Sequence, residues 1–299
     1  MSKKYIDLKK RVESLPCWQG AVEAHPLGGG ITNVNFTVED AGCKFVARLC
    51  ENIPVHHVMQ FNVQSASRAA HDIGVSPKVI YTEPGVMVIQ FIDGNTFVEA
   101  DIQKQENLQK IVTLLGHFHK EMPRHLRGAT LIFWVFQILR DYAHTLREGR
   151  SSHLDKLPRL MEIGAMLERI VGPIELVFGH NDLLAANFID DGNKLWLIDF
   201  DYAGFNSPLF DLANLASNNQ LNQSQERWLL ESYYKRPPTD NIWRAYNAMK
   251  CASLLRETLW SMVSELHSVI DFDYGLYTAE NLDRFEQTFK NLCTEFNLS

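Results

Sequence analysis

The chain has 299 residues, 45% of them hydrophobic and 22% charged, with a formal net charge of −7 at pH 7. That length and apolar content fill two packed lobes or one large domain, and the lack of any Lys/Arg run excludes nucleic acid and an anionic membrane surface as expected partners. The five cysteines (Cys17, Cys43, Cys50, Cys251, Cys293) include no C-x-x-C pair, so they read as reduced thiols of a cytoplasmic protein, mostly packing residues.

The residues 1–15 alternate charged and apolar positions as an amphipathic helix does, not as a signal peptide, and no later run is long enough to insert in a membrane. After them, LGGGITN at 27–33 leads into a strand in which Val34, Phe36 and Val38 alternate with polar residues. Turn chemistry at 39–42 separates it from a second strand, 43–49, with Phe45, Ala47 and Leu49 on one face and Val46 and Arg48 on the other. Apolar residues from Val55 to Ile73 recur at helical spacing until Gly74 and Pro77 stop them. Strands at 78–81 and 86–91 follow, hinged at Glu83-Pro84-Gly85. Beyond Ile92-Asp93-Gly94 the pattern turns helical, which places a boundary near residue 93 between a small β-rich lobe and a large helical one.

Helices are predicted at 101–121, 131–148, 155–170, 208–217, 224–234, 240–267 and 278–296. The segment 174–200 interrupts them. There an apolar run, 174–178, precedes HNDLLAAN, and a hairpin pattern turning at Asp191-Gly192-Asn193 follows.

A hairpin brings the residue before its first strand and the residue after its second to one end, here Asn187 and Asp199. Carboxamide and carboxylate oxygens converging there are hard ligands of the kind Mg²⁺ takes when nucleotide phosphates supply the others. Asp182, in the loop entering the same place, suits the acceptance of a proton from an attacking hydroxyl. His180 suits a bracing ring N–H bond. H-x-D-x-x-x-x-N alone is a short pattern that recurs by chance, but followed by a D-G hairpin and an apolar strand ending in Asp it is much rarer. The competing structural role for these residues is capping of turns and of the next helix.

HNDLLAANFI followed by LWLIDFDYAGFNSPLFDLANLASN resembles the signature of the choline/ethanolamine kinases, notably their bacterial LicA-type members, within the aminoglycoside-phosphotransferase superfamily. The likeness runs from LGGGITNVNF at 27–36 to RETLWSMVSE and FDYGLY at 256–277. It implies an α+β, bilobal protein-kinase-like fold. Residues 1–93 would form the nucleotide-binding lobe and 94–299 the catalytic and acceptor-binding lobe. ATP and Mg²⁺ are the implied cofactors, with Asp182 as catalytic base and Asn187 and Asp199 as metal ligands.

On the nucleotide side, Gly29, Gly30, Thr32 and Asn33 at a strand entrance would let backbone N–H groups and a hydroxyl approach phosphates, although glycine runs are often only flexible loops. Arg48, in VARL, stands where a protein kinase carries the Lys of V-A-I-K, and a guanidinium can hold phosphate oxygens bidentately. The resemblance places adenine against the backbone around Gln90 to Ile92. One departure stands out: from Asn52 to Thr82 there is no Glu to pair with Arg48. Gln64, Glu51 or Asp72 would substitute, or the nucleotide site is compromised and the protein is a non-catalytic pseudokinase.

Residues 251–266 on a helical wheel gather six apolar side chains on one face and leave Trp260 among Ser253, Arg256, Glu257 and Ser264. An aromatic face next to Glu257 fits a quaternary ammonium by cation–π attraction, with Tyr274, Tyr277, Asp201 and Tyr202 as further substrate contacts. The resembling kinases use C-terminal Trp and Tyr residues in this way, with a second Trp near where Glu257 stands. Packing against a neighbouring helix is the competing role for Trp260. The expected acceptor is a small cationic alcohol, choline first and ethanolamine second. Thiamine, homoserine, a methylated ribose or an aminoglycoside are alternatives on the same fold. Oligomeric state is not legible from sequence.

Overall fold

Alternating apolar residues build a sheet whose one face is closed by the opening helix. The computed structural model describes residues 3–28, 34–268, 270 and 272–298. Helix α1 (Lys3–Glu13) precedes β1 (Ala24–Leu27), β2 (Val34–Asp40) and β3 (Cys43–Leu49). A 3₁₀ turn at Pro54–His56 and α2 (Gln60–Asp72) then lead to β4 (Val79–Glu83) and β5 (Val86–Gln90). The strand order is β1-β2-β3-β5-β4, antiparallel throughout; β1 lies in a stretch where the sequence signalled no strand. Ala41 and Gly42, at φ 49° and 77°, form the two-residue connection of the β2–β3 hairpin, the geometry that matches strand twist. Phe36, Val38, Ala47, Leu49, Val86 and Val88 pack with Val12 and Leu15 as one core. Period-two alternation therefore turns Arg48, opposite Met87 in the ladder, to the other face.

The rest of the chain contains β6 (Asn95–Thr96), α3 (Glu99–Ile102), α4 (Gln105–His125), α5 (Val135–Glu148), α6 (Leu157–Val171), β7 (Val177–Gly179), β8 (Phe188–Asp190), β9 (Leu195–Leu197) and β10 (Gly204–Asn206). It ends with α7 (Pro208–Asn218), α8 (Gln223–Tyr234), α9 (Asp240–His267) and α10 (Tyr274–Phe296). The helix predicted over 101–121 is interrupted near Gln103 and Lys104, between α3 and α4. The helix predicted from 131 starts at Val135, because Leu131 O, which a longer helix would offer to the Val135 N–H, instead accepts the Phe205 N–H, while the Phe133 N–H donates to Phe205 O and Ile132 bridges to Phe205 as extended backbone does. Helix α10 starts at Tyr274 instead of 278, with Asp273 Oδ1 accepting the Leu276 N–H as an N-cap at 2.9 Å.

Helix α9 runs through the centre of this half, packed by α5, α6, α7 and α10. Its polar stripe is therefore not a solvated face: Ser253 and Arg256 are each 3% exposed and Ser264 1%. Buried polar groups of this kind need partners. Among the described residues no helix is long and apolar enough to cross a membrane.

Candidate active site

Two short antiparallel ladders assemble the site. The loop 180–187 joins β7 to β8, and the loop 198–203 joins β9 to β10. Because β7 pairs β10 and β8 pairs β9, the two loops are held side by side at both ends. The Ile198 N–H donates to Asn187 O at 3.0 Å, bringing Asn187 next to Asp199 as the hairpin geometry requires. Each loop carries a non-glycine residue at positive φ, Asn181 at 65° and Asp199 at 68°. Such backbone persists only where the surroundings over-determine it.

The surroundings do so through α7. Asp211, fully buried, accepts the N–H groups of His180 and Asn181 at 2.8 and 2.7 Å and is met by His119 Nε2 at 2.8 Å. Burial pushes its carboxyl up, but these hydrogen bonds outweigh it and hold the group below the usual carboxylate range. His119 Nδ1 lies 2.8 Å from the Tyr233 hydroxyl. Asn214 Oδ1 accepts the Leu183 N–H at 2.6 Å, and Asn219 Nδ2 donates to Leu183 O at 2.9 Å. Asn181 Nδ2 donates to Tyr202 O at 3.0 Å, tying the first loop to the second. Sequence reasoning singled out none of these anchors. The available signal was Asp211 and Asn214, three residues apart in a helix otherwise apolar enough to be buried.

Gly179 enters this network with no room to spare. A Cβ there would sit 2.9 Å from Asn181 Oδ1 and 3.2 Å from Asp211 Oδ2, tighter than packed atoms tolerate. Gly179→Ala is expected to cut turnover about tenfold or more by displacing the loop, read as kcat at saturating substrate.

Inside the two loops, His180 Nε2–H donates to Ile198 O at 2.9 Å, while Nδ1 is buried without a hydrogen bond among the described residues. Burial keeps the ring from protonating, so it joins the loops as a neutral donor. Asn187 Nδ2 donates to Asp182 O at 2.8 Å, which turns its Oδ1 away. Asp182 is half-buried, and its carboxylate has no hydrogen-bonded protein partner among the described residues. Burial pushes it up to about 8, with Glu257, Asp199 and Asp201 adding to the shift and Arg256 opposing it.

Arg48 reaches across from β3 to Asp199 Oδ1 at 3.0 Å and Asp201 Oδ1 at 3.2 Å. Burial alone pushes the Asp199 carboxyl up, yet the Arg48 charge holds it below the usual range. The partner expected in Gln64, as a neutral group, or in Glu51 or Asp72 is therefore supplied from the loop after β9. Asp201, expected at the acceptor, is 5% exposed and engaged by Arg48. Helix α2 keeps a neutral tie to the same loop: Asn62 Nδ2 donates to Ala203 O at 2.7 Å. Gly29, Gly30, Thr32 and Asn33 lie outside the described residues. At the end of β5, Gln90 is exposed and Ile92 half-buried, and the N–H groups of Gln90 and Phe91 donate to Lys78 O and Lys44 O.

Beyond Asp182 lies the aromatic group. Trp260 Nε1–H donates to the Tyr202 hydroxyl at 2.8 Å, and the Trp260 ring meets His56, Tyr274 and Tyr277 at centroid distances of 5.1, 6.1 and 6.3 Å. Glu257 accepts from the Tyr277 hydroxyl and from Arg256 Nη1, both at 2.8 Å. His56, from the turn before α2, and Arg256 were not expected here. The helical wheel sets Arg256 on the Trp260 face without giving it a role, and His56 carries no local sequence signal, because only tertiary packing brings it in.

A braced polar loop, an Asp at positive φ at a hairpin base and a cation from a facing sheet fit a phosphotransferase of the protein-kinase-like class. The family model for choline/ethanolamine kinase matches residues 24–289. The chain belongs to the choline/ethanolamine kinase family and is a small-molecule kinase. Protein LicA of Haemophilus influenzae is 26% identical over 268 residues, spanning 85% of this chain and 76% of that protein. The probable ethanolamine kinase A of Dictyostelium discoideum is 28% identical over 297 residues, spanning 88% and 84%. Among solved structures, the choline kinase LicA of Streptococcus pneumoniae superposes with a TM-score of 0.75 at 20% identity, covering 98% of this chain and all of that one.

Proposed function

We propose that the chain transfers the γ-phosphoryl group of ATP to the hydroxyl of a small cationic alcohol, choline or ethanolamine. The observation that carries this reading is Asp182: a half-buried carboxylate without a hydrogen-bonded partner among the described residues, within electrostatic reach of Asp199 and Asp201 in the neighbouring loop and of Arg256 and Glu257 on α9. In this reading the acceptor hydroxyl lies against Asp182, which takes its proton as the oxygen attacks phosphorus. The residues up to about 93 would bind nucleotide, and those from 94 would carry the base and the acceptor pocket.

Two hard oxygens at the hairpin base, Asn187 Oδ1 turned away from its own amide bond and the Asp199 carboxylate, suit Mg²⁺. The chemistry Mg²⁺ supplies when bound there is neutralisation of charge on the phosphate oxygens. Arg48 would leave one of its two carboxylates for α- and β-phosphate oxygens, which it can hold bidentately. His180 and Asn181 contribute position, not proton transfer. With Asp199 and Asp201 beside it, Arg48 does not lack a counter-ion, and the ground for a pseudokinase falls away.

A coupled ADP-release assay over a panel of alcohols tests the proposal. Turnover that needs Mg²⁺, choline or ethanolamine, and Asp182 supports it; a panel with no Asp182-dependent turnover rejects it. In the same assay Arg48→Ala is expected to raise KM for ATP about tenfold or more. An unchanged KM would remove Arg48 from the nucleotide site.

A further inference from the structure

The face of α9 that points at Asp182 holds a cation of its own. Arg256, 3% exposed, has its guanidinium 4.1 Å from the centre of the Tyr202 ring and 5.8 Å from that of Phe133, and its Nη1 donates to Glu257 Oε2 at 2.8 Å. A cation over an aromatic face with a carboxylate beside it is what an ammonium-binding box offers a ligand. Here two walls of the box are already in use. Trp260 is similarly committed, its N–H given to Tyr202 and its ring covered by His56 at an interplanar angle of 34°.

Trimethylammonium and primary ammonium groups compete differently for what remains. The trimethylammonium group has no N–H donor and is held by open aromatic faces, of which Arg256 and His56 cover two. A primary ammonium has three donors for carboxylate oxygens and needs less room. Arg256 itself is incompletely fastened, since its Nε and Nη2 are buried without a hydrogen bond among the described residues, with the buried Tyr142 hydroxyl as a further electrostatic neighbour. Its site is defined by charge and ring contact, the same forces that would hold a quaternary ammonium.

Resting on the kinase reading above, we propose that Arg256 is a specificity-determining residue that stands in the place of a quaternary ammonium group. The pocket accordingly takes an alcohol with a primary ammonium, ethanolamine, in preference to a trimethylammonium alcohol. Removing the guanidinium should open the Tyr202 face and free Glu257, a gain of function for choline.

The test compares kcat/KM for ethanolamine and choline in the wild type, Arg256→Met and Arg256→Lys, with tetramethylammonium binding followed by tryptophan fluorescence. The wild type is expected to favour ethanolamine about tenfold or more. Arg256→Met should shift the ratio toward choline by about tenfold and tighten tetramethylammonium by a similar factor, while Arg256→Lys keeps the wild-type preference. If Arg256→Met does not fold, Arg256→Gln, which retains a hydrogen bond to Glu257, takes its place with the same expectation. A wild type that prefers choline, or a ratio and a tetramethylammonium affinity unmoved by loss of the guanidinium, overturns the proposal. Absence of turnover with either alcohol alongside tighter tetramethylammonium binding would leave the role of Arg256 standing and sink the kinase reading instead.

Discussion

Asp182→Asn is expected to lower kcat about a thousandfold, within the range for loss of a general base, while KM for ATP changes little. The same carboxyl sets the pH dependence. Because burial pushes it up to about 8, the free protein carries it mostly protonated at neutral pH, and kcat/KM for the acceptor should rise with pH and level off above about 8. Single-turnover and steady-state rates across pH 6 to 9.5 check both statements; a flat profile would remove Asp182 as the base.

The substitution should also stabilise the protein. A carboxyl whose folded value lies above its ordinary one binds its proton more tightly in the folded state. Its favourable effect is complete below the ordinary value near 4 and is lost as pH rises through about 8. Asparagine removes that loss. The Tm gain of Asp182→Asn should therefore be small at pH 5 and reach about 3 °C or more above pH 8, a trade of stability against catalysis readable by calorimetry.

Asp211→Ala is expected to have the largest effect on stability. It strips the acceptor from the N–H groups of His180 and Asn181 and from His119, all of which are buried. Leaving such donors unpaired costs about 1–3 kcal/mol each, so a loss of about 4 kcal/mol and a Tm drop of roughly 10 °C are expected. Asp211→Asn, which keeps one acceptor, should recover part of it. A Tm within 2 °C of wild type for Asp211→Ala, by about the same calibration, would show that α7 does not brace the loop.

The strands and helices were legible wherever one periodicity dominated. The 43–49 strand and the 240–267 helix match their sequence patterns residue for residue. Boundaries failed where a tertiary hydrogen bond overrode local preference, as at Leu131 and Phe133, and where a local cap started the helix a turn earlier, as at Asp273. The adjacency of Asn187 and Asp199 followed from hairpin geometry alone, because two strands of fixed register leave no freedom at their open end. What could not be read was every contact between segments far apart in the chain: Arg48 with Asp201, Asn62 with Ala203, His56 with Trp260. Arg256 illustrates the limit. Its position beside Glu257 and Trp260 was evident from the wheel, but that the stripe faces inward depends on α9 being surrounded by other helices.

The anchors of the 180–183 backbone, Asp211 and Asn214, lie downstream of it in the chain, and Arg256 and Trp260 lie later still. During synthesis at about 10 residues per second, the β-sheet through β5 can form while these polar groups still await partners that have not been made. The HND loop must remain hydrated for several seconds until α7 emerges. Assembly of the site is thus a late, C-terminally timed event, and translation that stalls between residues 183 and 214 would leave a chain with a completed sheet and an open, protease-accessible HND loop.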